Sequence, residues 1–202
     1  MFIVKVPGIN GLGKTIGCEK AGNVIIKSLK EIYSNEQGKS IDTNLLDLEE
    51  IHLDNGNLEL ANELIYENGL EIFEEKQKTI FLGGDHSISY SLAKAFLQHC
   101  INDKKEPCLI VFDAHPDCMK PLDSKIPTHE EWLRALIGSG FRPENILLVG
   151  VRNPDPQEIE FLSRNRIRNI SINQLLINLE DICETIMEFS SGKELYLSLD
   201  ID

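Results

Sequence analysis

The sequence is short of cationic residues, of paired thiols and of long apolar runs. Lys and Arg total 20 against 33 Asp and Glu, a net charge of −13 at pH 7, so the chain has no general attraction for phosphate backbones or anionic membranes. Nonspecific nucleic-acid binding is excluded, and a small molecule is the expected partner. Apolar runs such as 108–112 and 146–149 fall far short of the ~20 residues that span a bilayer, so no membrane partner is expected. The N-terminal Met1-Phe2-Ile3-Val4-Lys5-Val6-Pro7 lacks the basic segment, apolar stretch and cleavage site of a secretory signal. The cytoplasm is the expected compartment. Five cysteines, Cys18, Cys100, Cys108, Cys118 and Cys183, form no C-x-x-C pair, which argues for reduced thiols rather than a disulfide framework or a structural zinc site.

What is present is an alternation. Short β-branched runs at 2–6, 44–48, 79–82, 109–113, 146–149, 167–171 and 194–200 are separated by longer stretches, including segments of helical period such as 58–76 and 173–189. That pattern predicts an α/β fold, a parallel sheet flanked by helices in three layers. At 202 residues one domain is expected. The last strand runs into Asp200-Ile201-Asp202 and stops, without the covering helix that usually follows a buried parallel strand, so the domain is expected to be incomplete at its C-terminus.

In such sheets the ligand site lies beyond the carboxyl ends of the strands. Three of those ends carry metal-ligating side chains: Gly83-Gly84-Asp85-His86-Ser87, Asp113-Ala114-His115-Pro116-Asp117, and Asp200 with Asp202. Alternate residues of an extended segment point the same way, so Asp113, His115 and Asp117 can converge, as can Asp200 and Asp202. A straight strand would spread the first trio over ~13 Å, whereas paired catalytic metals sit ~3.5 to 4 Å apart. The chain must therefore bend after Asp113, and Pro116 helps it do so. Asp113, Asp117, Asp200 and Asp202 bring four negative charges with no Lys or Arg inside the three motifs. Two divalent cations would cancel them, and a donor set of carboxylates with two imidazoles favours a hard ion such as Mn²⁺.

These motifs, in this order, resemble those of the arginase/agmatinase ureohydrolases, and Gly13-Lys14-Thr15-Ile16-Gly17-Cys18-Glu19-Lys20-Ala21 is similar to that family's glycine-containing N-terminal stretch. The resemblance implies an arginase-like domain, usually assembled into homo-oligomers. It also implies a site of two Mn²⁺ per chain held by His86, Asp113, His115, Asp117, Asp200 and Asp202, with a metal-bridging hydroxide attacking a guanidino or amidine carbon and often releasing urea. In that scheme Asp117 orients the nucleophile, and His129 resembles the family's proton-shuttling histidine by position. Here Glu130 follows His129 where the family commonly has glycine, and Cys118-Met119-Lys120-Pro121 replaces the Asn-containing substrate loop of arginases. The substrate-binding residues therefore stay open.

Two other readings compete. Gly8-Ile9-Asn10-Gly11-Leu12-Gly13-Lys14-Thr15 satisfies G-x-x-x-x-G-K-[ST], the phosphate-cradling loop of nucleotide-binding proteins. Gly17 and Gly22 interrupt the helix such a loop should start, each costing ~1 kcal/mol relative to Ala. The third reading is a noncatalytic metal-binding relative of the ureohydrolases. His52 and His99 are expected at the surface.

Overall fold

A computed structural model describes residues 2–40, 42–76 and 78–201. The β-branched runs form seven described strands: β1 Phe2–Val6, β2 Asp47–Glu50, β3 Thr79–Gly83, β4 Pro107–Phe112, β5 Ile146–Val151, β6 Arg168–Ser171 and β7 Glu194–Leu199. Between them lie α1 Ala21–Leu29, α2 Leu58–Glu75, α3 Ile88–Asn102, α4 Trp132–Gly138, α5 Pro156–Asn165, α6 Ile172–Ile177 and α7 Leu179–Ser190. Every pairing among these strands is parallel, so within each sheet the strands deliver their carboxyl ends to one side.

Hydrogen bonding divides the strands into two sheets, β2-β1-β3 and β6-β5-β4-β7, where the sequence suggested one. The division could not be read from strand spacing, because pairing is a non-local choice. A shared helical layer ties the sheets together. Phe73 on α2 meets Phe81 of β3 at 5.5 Å and Tyr196 of β7 at 6.2 Å, and Phe96 on α3 meets Tyr196 at 5.5 Å. On β4, Leu109 and Val111 enter the core built with α3 and α4, while Cys108 and Ile110 face the one closed by Phe189 of α7. Burial on both faces explains the unbroken apolar run. On β7 the alternation persists: Tyr196 is packed inward while Leu195, Leu197 and Leu199 are exposed.

Several boundaries move for local reasons. The strand expected at 44–48 is displaced to β2 because Asp42 accepts from the Asn44 amide and winds Thr43–Leu45 into a 3-10 turn. The single helix expected over 173–189 is split at Asn178, whose side chain caps α7 by accepting from the Asp181 amide. In α2 the buried stripe is Ala61, Ile65, Gly69 and Ile72, while Leu60 is exposed. Gly69 lets α3 approach, since a side chain there would press on Leu92 and Ala95. His52 is exposed, but His99 is buried and stacks on Phe73. Cys100, Cys108 and Cys118 are buried, and all five cysteines are free thiols.

Candidate metal centre

Three strand ends meet at one point. β3 ends at Gly83, and the turn after it is fixed by close approach: a Cβ on Gly84 would collide with the Gly8 carbonyl oxygen, which accepts from the Asp85 amide at 3.1 Å. Asp85 is consumed structurally. Its Oδ1 accepts from the Ser87 amide and hydroxyl, and its Oδ2 accepts from the Asn10 amide at 2.8 Å and the Thr15 hydroxyl at 2.6 Å. His86 is thereby aimed over the sheet edge. Because the Gly84 collision is with backbone, Gly84→Ala is expected to cost about 1–3 kcal/mol, read as a lowered denaturant midpoint at unchanged slope.

The second strand end bends as the spacing required. Beyond β4 the Asp113 amide still donates to the Val149 carbonyl, but the Ala114 carbonyl turns to accept from the Arg152 and Asn153 amides. Asp113 Oδ1 accepts from the His115 amide at 2.7 Å, and Asp117 adopts a left-handed backbone with φ of 51°. Aspartate tolerates that region better than most residues. At the third end, the Asp200 amide donates to the Phe112 carbonyl at 2.9 Å, which holds Asp200 beside Asp113.

The result is a convergence of ligand atoms. His86 Nδ1 lies 2.7 Å from Asp117 Oδ2, 3.0 Å from Asp113 Oδ2 and 3.1 Å from Asp200 Oδ2. Yet neither His86 Nδ1 nor Asp113 Oδ2 has a partner in hydrogen-bonding geometry among the described residues. Two donors each about 2.1 Å from one cation, at right angles, stand about 3 Å apart, which is the spacing seen. Ligand atoms of His86, Asp113 and Asp200 also lie within 4.8 Å of one another. His86 Nε2 is 3.0 Å from Ser198 Oγ; an Nε2–H donated there leaves the Nδ1 lone pair for a cation. Without one, burial works to lower the His86 pKa, but the flanking Asp113 and Asp117 carboxylates override it and raise it to about 10. Burial pushes the Asp117 carboxyl up, against the pull of His86. The centre is under electrostatic stress that a divalent cation relieves, and its oxygen-rich donor set suits Mn²⁺.

The expected residues divide accordingly. His86, Asp113, Asp117 and Asp200 are brought together. His115 sits at the rim, its Nδ1 3.5 Å from Asp113 Oδ1 and its Nε2 3.1 Å from Asn153 Nδ2. Asp202 lies outside the described residues. His129 is not within the cluster: its Nε2 is 3.6 Å from Glu130 Oε1, and its buried Nδ1 has no hydrogen-bond partner among the described residues. Four residues escaped the sequence reading. Trp132 Nε1 donates to Asp117 Oδ2 at 3.0 Å, and Ser198 bonds His86. Glu158, buried and with its carboxyl pushed up by that burial, accepts from the Cys118 amide. Asn10 donates through Nδ2 to the Ile126 and Pro127 carbonyls, and its own carbonyl accepts from the His129 amide.

The nucleotide-loop reading is corrected by this geometry. The helix begins at Ala21 rather than Lys14, and Lys14 Nζ pairs with Glu130 Oε1 at 3.2 Å while Thr15 bonds Asp85. The loop serves as a strap between the His86 and His129 segments. Truncating Asn10 to alanine removes both Nδ2 bonds and is expected to cost about 1–3 kcal/mol, measured by urea denaturation.

Comparison with known proteins places the chain in a family. The Arginase family profile matches residues 2–202. An arginase of Staphylococcus aureus is 27% identical over 201 residues, covering 88% of this chain and 65% of its own length. Formimidoylglutamase from Bacillus subtilis has a similar fold, with a TM-score of 0.81 at 21% identity, covering 99% of this chain and 64% of its own. Trypanosoma cruzi formiminoglutamase, solved with Mn²⁺, gives a TM-score of 0.79 at 17% identity, covering 98% and 69%. The chain thus spans about two thirds of the length of these proteins.

Proposed function

The chain belongs to the arginase family, and from that premise we propose that it is the metal-binding part of a hydrolase that cleaves a C–N bond in a linear guanidino or amidine substrate. The observation that carries the proposal is the approach of three carboxylate oxygens to His86 Nδ1 at 2.7 to 3.1 Å. Two Mn²⁺ ions would be held by His86, Asp113, His115, Asp117, Asp200 and Asp202; the manganese in the Trypanosoma cruzi relative supports that choice. A guanidinium carbon is a poor electrophile, and the metals would supply a water whose pKa falls from ~15.7 toward 7.

The protein's own groups do the rest. Asp117, held at its side chain by Trp132 and at its carbonyl by the Leu133 amide, would accept a hydrogen bond from that water and orient it. His129, whose backbone amide donates to the Asn10 carbonyl, would supply the proton for the leaving amine, a role that rests on its position in the family resemblance. Glu130, which stands where the family commonly has glycine, pairs with Lys14 beside it. The net charge of −13 supports a small cationic substrate over nucleic acid. No described helix is long and apolar enough to cross a membrane. A cytoplasmic location and homo-oligomeric assembly belong to the same proposal.

The test is a screen of the Mn²⁺-loaded protein against guanidino and formimino compounds for urea, ammonia or formamide release. Turnover of at least one is expected. Metal binding without turnover of any would favour a noncatalytic relative.

A further inference from the structure

The single tryptophan of the chain is placed where packing alone does not explain it. Trp132 is fully buried among Leu133, Leu136 and Phe141, and in sequence it reads as a core residue. Its polar edge, however, points at the ligand cluster: Nε1 donates to Asp117 Oδ2 at 3.0 Å. This is the same oxygen that stands 2.7 Å from His86 Nδ1. The indole also lies against the His86 imidazole, ring centroids 4.8 Å apart and tilted by 48°. One side chain therefore touches two of the candidate ligands. The residue after it adds a third hold, because the Leu133 amide donates to the Asp117 carbonyl at 3.1 Å.

We propose that Trp132 is a positioning residue for the metal centre, fixing the Asp117 carboxylate and the His86 ring in their ligating orientations. Asp117 needs such a hold. Its backbone is left-handed, φ 51°, a region aspartate enters more readily than most residues but still at some cost, and its carboxylate is buried. An indole N–H is a donor only, so it steadies one carboxylate oxygen without competing for metal. Phenylalanine would keep the ring packing and lose the donor. Hydrogen bonds of this supporting kind are worth about 10- to 100-fold in metal affinity.

The inference rests on the metal reading above, and the experiment separates the two. Mn²⁺ is titrated into the full chain and into Trp132→Phe, by calorimetry and by the electron paramagnetic resonance of free Mn²⁺, with melting temperatures of both metal-free proteins as the control for folding. The expected result is binding to both, at least tenfold weaker in the variant, with similar metal-free melting. In the wild type, Mn²⁺ should also quench the emission of the sole tryptophan. Equal affinities would overturn the role of Trp132 and leave the metal site standing; no binding to the wild type would overturn both. If Trp132→Phe does not fold, the one indole N–H resonance of the wild-type spectrum decides. It should shift on Asp117→Asn substitution, and an unchanged resonance would overturn the inference.

Discussion

Asp117→Asn is expected to reduce turnover at least about a hundredfold and to weaken Mn²⁺ binding by a similar factor, since even supporting residues around a metal are worth 10- to 100-fold. Asp117 sits 2.7 Å from His86 Nδ1 and is buried, so asparagine removes a charged donor from the centre of the cluster. The metal-free variant should nevertheless fold as well as the wild type or better. Burial already pushes the Asp117 carboxyl up, and removing a crowded, desolvated carboxylate relieves repulsion from Asp113. The signature is a crossover: the variant melts no lower than the wild type in chelator and lower than it in Mn²⁺. Near-normal turnover with normal Mn²⁺ affinity would contradict the assigned role.

Chelation of the wild type should lower its melting temperature substantially. Ions that bind only the folded state stabilise it by RT ln(1 + [L]/Kd), about 4 kcal/mol at a thousandfold excess over Kd. For a chain of this size that corresponds to about 8–16 °C. The same physics explains why the loss should be large here: the cluster sets His86 Nδ1 among three carboxylate oxygens, and without a cation a proton on His86 must serve in its place. Scanning calorimetry with and without chelator measures the shift, and coincident melting curves would sink the claim that metal supports the fold.

Much of this was legible in the chain itself. The strand ends carrying His86, Asp113, Asp117 and Asp200 were visible because local hydrophobic runs stop there and ligand residues begin at two-residue spacing. The bend after Asp113 followed from arithmetic on strand rise. What stayed hidden depends on contacts between distant segments. Trp132 sits 15 residues from Asp117, Ser198 sits 112 from His86 and Asn10 sits 75 from Asp85, and no local pattern announces any of them. Trp132 was obscured further because Leu133 and Leu136 beside it read as ordinary core. The division of the strands into two sheets was hidden for the same reason, whereas the break at Asn178 and the shift of β2 came from capping side chains, Asn178 and Asp42, that could have been recognised as such.

The most direct test of the central claim is the Mn²⁺ content of the full chain, by elemental analysis after loading and removal of free ion. Two ions per chain are predicted, held by ligands from the ends of β3, β4 and β7. One ion or none would contradict the binuclear site.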